Sequence, residues 1–130
     1  MTAASAGFGL ARIGQIAVNV KDLPRATRFY RETLGMRFLF EAPGMAFFDC
    51  GGVRLMLALP EKPEFDHPAS ILYYQVEDIR AAHELLQTKG VEFIEPPRLV
   101  APLQHADLWL AFLRDSEGNP LALMSEVRRA

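Results

Sequence analysis

The chain has little cysteine, no large excess of either charge and no long apolar stretch, and each shortage removes a class of function. Cys50 is its only cysteine, which rules out an internal disulfide and a CxxC metal or redox site. Lys and Arg number 14 against 16 Asp and Glu, leaving no broad cationic surface for nucleic acid. No apolar run reaches the length of a transmembrane helix. The N-terminal "MTAASAGFGLAR" has neither the basic nor the apolar region of a signal peptide. No GxSxG, HxH or HxxxH occurs, no Cys–His pair is visible, and no Lys-Ser/Thr follows the glycine of "DSEGNP". That last stretch reads as a hairpin turn. What is present is ordinary globular composition, 50% apolar and 23% charged, enough for a core in 130 residues. The expectation is a cytoplasmic protein with no nucleic-acid or membrane partner. Residues 1–11 are expected to form a flexible arm, and Cys50 a buried thiol.

The chain also says the same thing twice. "QIAVNVKDL" at 15–23 lines up with "ILYYQVEDI" at 71–79, each an alternating strand that runs into an Asp. Ala26, Phe29, Tyr30 and Leu34 then follow at helical spacing, as do Ala82, Leu85 and Leu86. Asp22 and Asp78 are placed to cap these helices, and Pro24 suits a first turn. Gly35 and Gly90 stop them. "GGVRLML" at 51–57 resembles "EGNPLALM" at 117–124, and "MAFFDC" and "LWLAFLRD" supply a strand before each. Each half reads as strand, helix, then three strands, joined by the Pro-rich "LPEKPEFDHPAS" at 59–70. In the second half "PPRLVAPLQHAD" reads as a long loop. The fold class is therefore α+β, with two βαβββ modules at about 12–59 and 70–127 of a single domain spanning 12–130.

This double pattern, with "IAVNVKDLPRATRFYRETLGM" and "FLRDSEGNPLALMS" as its most specific pieces, resembles the vicinal oxygen chelate superfamily. That group includes glyoxalase I, extradiol dioxygenases and bleomycin-resistance proteins. The resemblance implies curved mixed sheets around a cavity. In metal-using relatives four side chains, from the first and last strand of each module, hold one divalent ion. The matching positions here are Gln15, Met56, Ile71 and Ala122. One neutral amide and one thioether do not make a site for a hard or borderline cation. No metal and no other cofactor is expected.

Period-two geometry sorts the strands into two faces. Ile16, Val18, Val20, Val53, Leu55, Leu57, Leu72, Tyr74, Val76, Leu121 and Leu123 fall on the helix-packed face. The concave face is apolar with a few polar groups, the make-up of a small-molecule pocket. Its candidate ligand-binding residues are Gln15, Asn19, Arg54, Met56, Tyr73, Gln75 and Met124, with Trp109 as aromatic floor and His105 at the mouth. Arg54 suits an anion, since a guanidinium fork pairs with carboxylate or phosphate; its alternative is a solvated side chain or a pair with Asp49. His83 reads as a solvated helix residue and His67 as a plain loop residue. No catalytic residue is assigned. The leading reading is a metal-free binder of a small organic molecule. The alternatives are a lyase, isomerase or dioxygenase with atypical metal ligands or pocket side-chain catalysis, and a degenerate module kept for protein contact. Relatives of this length resemble homodimers in which each chain contributes a module to the pocket, and a homodimer is expected.

Overall fold

The computed structural model describes residues 7–129. The expected arm falls partly on residues 1–6, which lie outside the described residues, as does residue 130. The first module runs β1 (Gln15–Asn19), α1 (Leu23–Arg28), β2 (Arg37–Ala42), β3 (Met45–Cys50) and β4 (Val53–Ala58). The second runs β5 (Leu72–Gln75), α2 (Ile79–Thr88), β6 (Phe93–Pro102), β7 (Ala106–Arg114) and β8 (Pro120–Arg128). Their sheets are built alike, in the orders β1-β4-β3-β2 and β5-β8-β7-β6. The first and last strands of each module pair parallel and the others antiparallel.

The helices begin where the sequence provides a cap. Asp22 Oδ1 accepts from Arg25 N at 3.0 Å, and Asp78 Oδ1 from Ala81 N at 3.0 Å. Each satisfies a first-turn N–H that has no partner within its helix. Helix α1 widens at its end into a π-helical turn, Phe29–Thr33, closed by the bond from Leu34 N to Phe29 O. Gly35 and Gly90 follow the helices with φ of 70° and 85°, left-handed values that a side chain would disfavour.

The helix-side faces of both sheets share one core. Val18, Tyr30, Phe48 and Leu57 from the first module join Leu86, Leu113, Leu121 and Leu123 from the second. Burying such side chains contributes about 1.5–3 kcal/mol each. The two modules are also tied by the β7–β8 turn. Asp115 accepts from the buried Tyr30 hydroxyl at 2.7 Å. Glu117, whose side chain is 1% exposed, accepts from the backbone N–H groups of Lys21 and Asp22 and from the Arg25 guanidinium. Asn119 Nδ2 donates to Asn19 O.

Three expectations are corrected here. Residues 96–102 are not a loop: they belong to β6, a ten-residue edge strand with three register shifts. Pro96 and Pro97 fit because an edge strand leaves N–H positions unpaired. Trp109 is not on the concave face; it pairs with Ser125, flanks the shared core and lies under the Arg80 guanidinium of α2, 5.1 Å from its ring centre. His83 is not solvated: its ring meets Phe93 edge-on at 4.4 Å and buries Nε2 without a partner. Among the described residues no helix is long and apolar enough to cross a membrane.

Candidate functional site

The alternation of β1 and β4 aims Gln15, Ala17 and Asn19 to the same side as Arg54, Met56 and Ala58, residue against residue. On β3, Asp49, Phe47 and Met45 continue that face. Arg54 Nε donates to Gln15 Oε1 at 2.8 Å. Its guanidinium carbon stands 5.3 Å from the centre of the Phe47 ring, a cation–π distance, and Phe47 stacks on Phe40 at 4.5 Å. Gln15 Nε2 in turn points at Met56 Sδ, 3.7 Å away. Asp49 lies opposite Arg54 in the ladder, but its Oδ1 accepts from Gly52 N at 3.2 Å. Among the described residues Arg54 makes no ion pair. An exposed guanidinium is thus held in place by an amide and a ring with its charge uncompensated.

Beside this pair the connector folds back over the sheet and encloses a cavity of about 330 Å³. Ala17, Met45, Met56 and Ala58 form its sheet wall, and Leu59, Glu61, Phe65 and His67 its connector wall. Asn19 fixes the connector: its Nδ2 donates to Phe65 O at 2.6 Å and to His67 O at 3.1 Å. The sequence reading placed Asn19 on this wall but missed the connector residues, because a Pro-rich stretch carries no periodicity to aim its side chains. The prolines themselves were the available signal: they make a stiff segment able to lie across a sheet.

The second sheet carries its own concave face. Tyr73, 48% exposed, meets Phe112 edge-on at 6.0 Å. Gln75 and Met124 are partners in the β5–β8 ladder, and Ile71, at the β5 end, is 41% exposed. These residues are brought together with one another, not with Gln15 and Arg54: the sheets share a core through their helix sides. His105 sits in the turn between β6 and β7, exposed, its carbonyl accepting from Arg129 N. It lines none of the cavities described. Tyr74, on the helix side, keeps its hydroxyl buried without a partner, and burial raises its pKa, with smaller contributions from Cys50 and Asp115. Half-buried Cys50 is shifted upward by burial and then by Asp49, so the thiol form is favoured.

A divalent metal does not fit these residues. The Gln15 oxygen already accepts from a cation, Met56 offers a soft thioether, and Ile71 and Ala122 offer nothing. Among the described residues no three His, Cys, Asp or Glu side chains are grouped to hold a metal ion.

Two βαβββ modules, each a four-stranded mixed sheet with a helix on one side and a concave wall on the other, define a small class of folds built around a sheet-lined cavity. Residues 12–123 match the family model of the Glyoxalase/Bleomycin resistance protein/Dioxygenase superfamily, and the chain belongs to that superfamily. Among solved structures it is similar to a member of the same superfamily from Sphaerobacter thermophilus, at 24% identity and a TM-score of 0.74, covering 90% of this chain and 98% of that one. It is also similar to a virulence protein from Salmonella typhimurium, at 20% identity and a TM-score of 0.75, covering 92% and 100%. A lactoylglutathione lyase from Agrobacterium tumefaciens matches at 18% identity and a TM-score of 0.71, covering 89% and 94%. Likeness at these identities speaks for the fold. No curated protein matches the chain.

Proposed function

We propose that this superfamily member binds a small organic anion on the concave face of its first sheet without the help of a metal. The observation that carries the reading is Arg54, positioned by Gln15 and Phe47 and left without a carboxylate partner among the described residues. A preorganised guanidinium two residues along β4 from the cavity-lining Met56 recognises a carboxylate while the Met45, Met56 and Phe65 side chains take an apolar body. The residues supply binding and orientation; no reaction step is assigned to them. The second wall comes from a second copy. Ile71 and Tyr73 leave the second sheet with an exposed apolar face, at 41% and 48%, and a two-fold dimer covers it. Such a pocket combines Gln15 and Arg54 of one protomer with Tyr73, Gln75 and Met124 of its partner. A single free thiol and the lack of disulfides suit work in the cytoplasm.

The test is calorimetric titration with octanoate, a carboxylate with an apolar tail. Removing a charge-assisted hydrogen bond costs about 1.5–3 kcal/mol, so Arg54→Met is expected to weaken binding about tenfold or more. Equal affinity in both proteins overturns the reading.

A further inference from the structure

The polar groups towards the two ends of the first sheet's concave face have opposite hydrogen-bonding character. Beyond one end of the cavity, two residues along β4 from Met56, stands Arg54, which only donates. At the other stand Asn19, Glu61 and His67, all lining the cavity. Asn19 has two amide hydrogens, and both are used on the carbonyls of Phe65 and His67. The amide cannot be turned round, because its oxygen has no bond to make with a carbonyl. What Asn19 has left to offer is the acceptor Oδ1. His67 Nδ1 lies 3.0 Å from Pro68 O. A carbonyl can only accept, so Nδ1 carries the hydrogen, and in the tautomer this selects Nε2 is the acceptor. Glu61 adds a carboxylate. Each group taken alone is ordinary; together these three side chains make an end of the cavity rich in acceptors.

The spacing between the ends follows from the strand. Arg54 stands opposite Gln15 and Ala58 opposite Asn19 in the β1–β4 ladder. Four residues of strand separate the two pairs by about 13 Å. Met56 lies between them, on the cavity wall and against the Gln15 amide. An apolar floor thus joins a cationic end to an acceptor end.

We infer that the site takes an elongated molecule with a carboxylate at one end, an apolar middle and a hydrogen-bond donor, best a protonated amine, at the other. This rests on the anion-binding reading above and narrows it to amino carboxylates whose two groups are far apart. The amine meets Glu61, Asn19 Oδ1 and His67 Nε2, while the carboxylate meets Arg54. A ligand with acids at both ends is disfavoured, since its second carboxylate would face Glu61 and two acceptors.

Three probes with the same eight carbons separate the possibilities: ω-aminooctanoate, octanoate and n-octylamine, titrated calorimetrically at mildly alkaline pH. The expected order places ω-aminooctanoate about tenfold tighter than octanoate. Glu61→Gln, a substitution at an exposed connector residue, is expected to erase most of that advantage, read as the ratio of the two affinities in the variant. Arg54→Met is expected to weaken both carboxylates by the same factor. Octanoate binding as tightly as ω-aminooctanoate, with both still dependent on Arg54, overturns this inference and spares the anion site. An amine advantage that survives Glu61→Gln overturns it too, because the amine is then recognised elsewhere. Failure of both carboxylates to bind overturns the anion-binding reading along with it.

Discussion

Glu117 shows how much work one turn residue does outside its own turn. It was legible only as part of a hairpin, because its partners, Lys21, Asp22 and Arg25, stand more than ninety residues away. Burial alone would raise its carboxyl, but the bonds from Arg25, from the backbone of Asp22 and Lys21, and from Ser116 outweigh it and hold the group at about 2, against an ordinary 4.5. A depressed acid stabilises the fold fully above its ordinary value, and that contribution fades as pH falls from there towards the folded value. Urea unfolding at neutral pH and at about pH 3 is therefore expected to show a loss of stability that is smaller in Glu117→Gln. An equal loss in both proteins would place the acid sensitivity elsewhere. Other residues were misread for reasons the chain itself contains. Trp109 and Phe112 are three apart, an odd spacing that puts them on opposite faces of β7; only Phe112 can join the Tyr73 wall. His83 sits on the flank of α2 that meets Phe93, a contact with β6 that helical spacing does not reveal.

Among the elements, those with a local physical cause were readable. Alternation predicted which residues of β1, β4, β5 and β8 turn inward, and Val18, Leu55, Leu57 and Leu121 are indeed buried while Gln15, Arg54 and Tyr73 are exposed. Caps and stops marked both helices. Asp78 gives the cleaner test of that reasoning, since Asp22 also touches the Glu117 clamp. Asp78→Ala is expected to lower unfolding stability by about 0.5–2 kcal/mol, measured by urea denaturation; an unchanged midpoint would mean another group satisfies the Ala81 N–H. The second part of β6 was hidden because Pro96 and Pro97 argue against a strand unless its edge position is known, and sheet order is a long-range property. The connector was hidden for a related reason. What makes it a cavity wall is the pair of bonds from Asn19, across more than forty residues.

For the whole molecule, the repeat was visible in sequence but the way its halves meet was not. They pack through their helix sides into one core, which leaves each concave face looking outward, where the proposed dimer would cover it. Light scattering at micromolar concentration is expected to give twice the chain mass. Refolded mixtures of Arg54→Met with a Tyr73→Ala, Gln75→Ala double variant are expected to regain part of the octanoate sites, since one of the two pockets in a mixed dimer is then intact. A monomer, or no recovery, would return the pocket to a single chain. Recognition of an anion by the side chains of the first sheet alone does not depend on the assembly. It is tested most directly by titrating octanoate into the protein before and after exhaustive treatment with a chelator, with metal content measured on both samples. The expected result is the same affinity in each and no equivalent of divalent ion that depends on Gln15. Binding that disappears with the metal, and returns when the metal is restored, would contradict it.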